Sequence, residues 1–116
     1  MSNTHLGFIL IGVSVLIAGL SIPLILSRVS MNHFYGVRFP QAFRSDTHWF
    51  RINKFGGGVL LLCSIPVLLV GVYGLFSSME SADYSLLSLC VSVGSVVTAS
   101  IVSYLKARRI DRELTI

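Results

Sequence analysis

Three long stretches of this chain, residues 6–27, 55–79 and 84–105, contain no charged side chain. Each exceeds the roughly 20 residues that a helix rising about 1.5 Å per residue needs to cross a hydrocarbon core about 30 Å thick. Backbone N–H and C=O groups find no water in lipid, so all three stretches are expected to be helical. Charged residues make up 12% of the 116 positions and hydrophobic ones 53%. That charge content is about half of a soluble domain's. The expectation is an all-α integral membrane protein with three transmembrane helices, near 6–27, 56–77 and 84–105, forming a single domain over 1–116. The first stretch reads as a span and not a cleaved leader. It has no basic region before it, and it is too long for a leader's apolar core.

The cations set the orientation. Arg28, Arg38, Arg44, Arg51 and Lys54 lie between the first two spans, and Lys106, Arg108, Arg109 and Arg112 lie after the third. The other two ends hold no Lys or Arg. Positive charge stays on the cytoplasmic side during insertion, which predicts an outside N-terminus and an inside C-terminus. The tail, 106–116, is expected to extend the third helix and bind anionic headgroups. A net charge of +4 therefore expresses topology, and nucleic acid is not an expected partner.

Small residues recur along each span: Gly7, Ser14, Ala18 and Ser21, then Gly57, Ser64, Gly71 and Ser78, then Ser85, Ser88, Ser92, Ser95 and Ala99. Such stripes let helix backbones approach closely where no hydrophobic effect drives them together. They suit packing within one bundle, and equally a homo-oligomer. The serines of the third span could instead line a polar path in an oligomeric transporter. Their hydroxyls can, however, bond back to their own helix. Pro66 is expected to bend the second span, and Pro23 to loosen the end of the first. Cys63 and Cys90 sit at depths about 10 Å apart, too far for a disulfide, and read as buried packing thiols.

The loop from 28 to 55 is denser in special residues than a connector requires. It contains Asn32, Tyr35-Gly36-Val37-Arg38, Pro40, and then Ser45, Trp49, Asn53 and Gly57. Gly36 suits a positive φ or a close approach, and Phe39, preceding a proline, is biased toward extended geometry. Ser45 or Asp46 is a fitting N-cap for a short amphipathic interfacial helix that carries Trp49, Asn53 and Gly57 on one face. Gly56-Gly57-Gly58 marks a hinge or the junction of that helix with the second span. Trp49 is expected to anchor at the membrane interface, together with the loop's other aromatic residues. Arg38 is expected either to organise the loop or to contact a phosphate or carboxylate.

These residues resemble the SdpI/YfhL membrane-protein family over roughly residues 22–62. The shared pattern is Asn32, Tyr35-Gly36-Val37-Arg38 and Pro40, then a capped helix with Trp49 and Asn53 and a Gly-rich entry to the next span. Phe39 stands where a Thr is common in that pattern. The resemblance implies an immunity or sensing protein of the bacterial inner membrane. The family's founding member, a longer protein, protects against a secreted toxin peptide and holds a cytoplasmic repressor at the membrane.

The implied partners are membrane lipids, a toxin peptide and a cytoplasmic regulator. The implied ligand or motif residues are Asn32, Tyr35, Gly36, Arg38, Pro40, Trp49, Asn53 and Gly57. No cofactor, metal or catalytic residue is expected. His33, Asp46 and His48 are a weak metal or headgroup-chemistry set.

Overall fold

A computed structural model describes residues 2–115 and contains three long helices and one short helical turn. These are α1 (Asn3–Ile25), a 3-10 turn at Pro40–Arg44, α2 (Asp46–Phe76) and α3 (Ser81–Leu114). All three long helices are long and apolar enough to cross a membrane, and the described residues form no strand.

The α1–α2 pair is an antiparallel contact built on the predicted stripes. Gly7, Ser14 and Ser21 are buried on α1, and Gly57, Ser64 and Gly71 on α2. A Cβ added to Gly7 would lie 2.6 Å from the Gly71 carbonyl oxygen, and one on Gly57 would lie 3.0 Å from that of Ser21. The serine hydroxyls do not cross between helices. Ser14, Ser21 and Ser64 donate to Ile11 O, Ile17 O and Leu61 O within their own helices. Ser78 lies beyond the end of α2, Ala18 is half-buried, and of the third stripe only Ser88 and Ala99 are buried. α3 packs chiefly on α2, while α1 and α3 barely touch. Tyr84 closes the far end, where its hydroxyl donates to Val70 O at 2.7 Å beside Gly74.

α1 runs through Pro23 and stops abruptly. Ser27 adopts φ 56°, while the Ser27 N–H reaches Leu24 O and the Arg28 N–H reaches Pro23 O. These are the two bonds of a Schellman stop, with a serine where glycine is usual. The chain therefore turns sharply at this point instead of fraying.

α2 is continuous through Gly56-Gly57-Gly58 and Pro66, so the capped segment carrying Trp49 and Asn53 is the first ten residues of the second span's own helix. Ser45 is the N-cap, with its hydroxyl accepting from His48 N at 3.1 Å. Asp46 takes the first helical position, where a carboxylate complements the positive end of the helix dipole. The glycines do not act as a hinge. α2 and α3 both project beyond the apolar bundle at this end, α2 by roughly 15 Å before Gly56 and α3 by roughly 14 Å after Leu105. The loop fills the space between them. Of the two cysteines, Cys63 is half-buried and Cys90 exposed, so Cys90 is not a packing residue within this bundle.

Candidate functional site

The loop folds into a cap held by three side chains. Asn32 Oδ1 accepts from the backbone N–H groups of Phe34 at 2.8 Å and Tyr35 at 2.6 Å, and its Nδ2 donates to Ser30 O at 2.9 Å. A single carboxamide thus makes the turn at 30–35 without a glycine. Trp49 is fully buried, and its indole N–H donates to Val29 O at 2.8 Å. Asn53 is 1% exposed. Its Oδ1 accepts from Val37 N at 2.6 Å, and its Nδ2 donates to Val37 O at 3.2 Å and Trp49 O at 2.9 Å.

Backbone geometry then decides where glycine is obligatory. Gly36 has φ 118°, and a Cβ there would meet Asn53 Oδ1 at 2.7 Å and the Trp49 ring at 3.1 Å. Gly56 receives Val37, whose Cγ2 would lie 2.5 Å from an added Cβ. Gly57, the glycine read as part of the loop motif, faces Ser21 and Leu24 of α1 instead. It serves helix packing and lies apart from the cap. Phe39 is extended (φ −65°, ψ 152°), as a residue before proline should be, and Pro40 opens the helical turn.

Beneath the cap lies a small core of Ala42, Trp49 and Ile52 against Ala107 and Ile110 of α3. Phe43 tilts against Trp49 with ring centres 5.5 Å apart, and Phe39 meets Tyr104 edge-on at 5.3 Å. Trp49 is therefore a core residue of the cap and not an interfacial anchor. The indole's polar atom is spent on Val29.

The tail seals this core through ion pairs that the linear sequence hides. Buried His48 donates from Nε2 to Asp111 Oδ1 at 3.1 Å, Ser45 Oγ lies 2.5 Å from its Nδ1, and Arg44 pairs with the other Asp111 oxygen. Arg51 pairs with Glu113 at 2.9 Å, and Arg109 adds a contact to the same carboxylate at 3.5 Å. Burial pushes the Asp111 carboxyl up, but Arg44 and then His48 outweigh it and hold the group below its ordinary range. For Glu113 the Arg51 hydrogen bond dominates over burial, and the charges of Arg51, Arg109 and Lys106 add to it, again lowering the carboxyl.

His33 stacks on Phe43 at 5.3 Å, and no group of three His, Cys, Asp or Glu placed to hold a metal forms among the described residues. The pairs made by Arg44, His48 and Arg51 escaped the sequence reading. The only hint was two carboxylates, Asp111 and Glu113, set within an otherwise basic tail.

Arg38 differs from its neighbours. Its side chain is exposed, donates to the His33 carbonyl, and has no carboxylate partner among the described residues. It stands at the end of an apolar groove that begins between α1 and α3 and, at this end, lies between the cap and α3. Leu60 of α2 runs along the groove floor, and Val96, Ala99, Ser100 and Ser103 form the α3 wall. Tyr35 and Gly36 close the α1 side against Ile17, Leu20 and Leu24, and the Tyr35 hydroxyl donates to Leu20 O. The cap thus reaches past the end of α1 and lines the α1 side of the cleft.

The model of the SdpI/YfhL protein family matches residues 28–105. The chain belongs to this family. The match takes in the whole cap and the apolar parts of α2 and α3, and so most of the groove. Searches among curated proteins and among solved structures found no match. As a member of the SdpI/YfhL family with three membrane-length helices, the chain is a multi-pass membrane protein.

Proposed function

We propose that this SdpI/YfhL protein confers immunity to, or senses, a membrane-active toxin peptide or lipid-like ligand, and that it acts without catalysis. Arg38 carries this reading. It is an exposed cation with no carboxylate partner among the described residues, and it lines the end of an apolar groove. A side chain needed only to hold the loop together would be expected to spend all its polar atoms on the backbone, as Asn32 and Asn53 do. An amphiphile with an anionic end and an apolar body has the complementary form. Immunity or sensing is also what the family resemblance implies.

The proposed setting is the bacterial inner membrane, with the cap at the cytoplasmic interface, the N-terminus outside and the C-terminus inside. All nine Lys and Arg lie in the cap and tail, which touch each other, while Glu80 and Asp83 lie at the far end. That asymmetry supports the orientation. A cytoplasmic regulator, if one is recruited, would meet the exposed Arg108, Arg109 and Arg112 on the outer side of the docked tail.

Deleting the gene and challenging cells with a panel of membrane-active peptides tests the proposal. Loss of survival that is rescued by the native chain and not by Arg38→Ala, at equal membrane levels, is expected. Unchanged survival across the panel would contradict it. Solute flux in proteoliposomes, abolished by Ser88→Ala with Ser92→Ala, would favour a transporter instead. The Ser88 hydroxyl, however, donates to Tyr84 O within its own helix.

A further inference from the structure

We infer that the groove between α1 and α3 holds one anionic phospholipid from the leaflet on the cap side, with its phosphate on Arg38 and an acyl chain along Leu60. The inference rests on the proposed reading of the cap as the ligand-coupled element, and it names the resting occupant of that same site.

Length is the first argument. The groove follows α3 from Ser92 to Ser103, positions 11 residues apart and therefore about 16 Å along the helix. Half of a hydrocarbon core about 30 Å thick is about 15 Å. The groove thus begins near mid-bundle and ends at the cap, the depth of a single leaflet. It is lined by Ile17, Leu60, Val67 and Val96 at its inner end and opens to the membrane because α1 and α3 barely meet.

Charge is the second argument. A guanidinium carries five N–H donors in a planar fork suited to phosphate oxygens. Arg38 commits one nitrogen to the His33 carbonyl and faces no carboxylate among the described residues. It lies on the groove wall, at the end where a headgroup would sit. Ser100 and Ser103 are the polar residues beside it, level with the ester region of such a lipid. A zwitterionic lipid would bring a second cation to this place, so charge complementarity selects an anionic one.

The test uses the full chain reconstituted in nanodiscs of equal parts phosphatidylcholine and phosphatidylglycerol, released gently and weighed by native mass spectrometry. The native chain is expected to retain one phosphatidylglycerol in preference to phosphatidylcholine by roughly tenfold, because choline would set a second cation beside Arg38. Arg38→Gln is expected to bring the two lipids to parity without reducing total retained lipid, with unchanged helicity by circular dichroism. Leu60→Trp, which fills the groove floor, is expected to reduce both. Equal retention by the native chain overturns the inference whatever the variants do, and so does an undiminished preference in folded Arg38→Gln. No toxin enters the assay, so its failure is separable from a failure of the protective role.

Discussion

Asn53 satisfies both backbone polar groups of Val37 with one carboxamide, its oxygen on the Val37 N–H at 2.6 Å and its nitrogen on the Val37 carbonyl at 3.2 Å. The pairing spans 16 positions and pins the loop to α2 across the helical turn at Pro40–Arg44. Replacing Asn53 by Leu leaves a buried donor and acceptor orphaned, each costing about 1–3 kcal/mol. Asn53→Leu is therefore expected to lower stability by roughly 2–4 kcal/mol. Asn53→Asp keeps the acceptor but sets a buried carboxylate oxygen against the Val37 and Trp49 carbonyls, so it should cost at least as much. Thermal unfolding of the purified chain in detergent, followed by circular dichroism, checks both.

Gly36 and Gly58 form a contrasting pair. Alanine at 36 must adopt φ 118° with its Cβ 2.7 Å from Asn53 Oδ1, whereas alanine at 58 meets nothing within 4 Å. Gly36→Ala is expected to destabilise the cap by about 2 kcal/mol or more, and Gly58→Ala to be neutral or stabilising by up to about 1 kcal/mol. A similar loss at both positions would show that the glycines serve something other than close approach.

Ser27 sits in the left-handed region that ends α1. An L side chain in that conformation costs about 1–2 kcal/mol, and glycine avoids the cost. Ser27→Gly is thus expected to raise the midpoint of thermal unfolding, corresponding to up to about 1 kcal/mol after the entropy glycine adds to the unfolded chain. A lowered midpoint would mean that the stop is not formed.

The docked tail has a predicted pH response. Asp111 and Glu113 are both held below their ordinary carboxylate values. A group whose folded pKa is depressed contributes stability above its unfolded value and loses it as pH falls through the folded one. Docking through these two carboxylates is therefore expected to be fully present at neutral pH and to weaken below about pH 4. Hydrogen exchange over 106–114, corrected for its intrinsic pH dependence, reads this directly, and Asp111→Asn should weaken protection at neutral pH.

The spans were legible because a hydrocarbon core imposes length and neutrality on each one separately. The α1–α2 contact was legible for a related reason: Gly7, Ser14 and Ser21 repeat at seven-residue spacing, as do Gly57, Ser64 and Gly71. The special geometry of Gly36 and the cap at Ser45 were also readable, because each is a local backbone requirement. What escaped was anything set by chain segments far apart in sequence. Trp49 has the composition of an interfacial anchor, and only the return of α3, bringing Ala107 and Ile110 over it, makes it a core residue. The partners of His48 and Arg51 lie 63 and 62 positions away, and no periodicity announces them. Gly56 and Gly57 are adjacent and alike in sequence, yet one receives the loop and the other α1.

Trp49 is the chain's one tryptophan, so its fluorescence reports the cap alone. The most direct measurement is quenching of that emission in nanodiscs, by aqueous iodide and separately by brominated lipid. An indole at 0% exposure, bonded to Val29 and covered by α3, is predicted to resist both quenchers, and Asn53→Leu should admit at least one. Strong quenching of the native chain by brominated lipid, or free access of iodide, would contradict a folded cap.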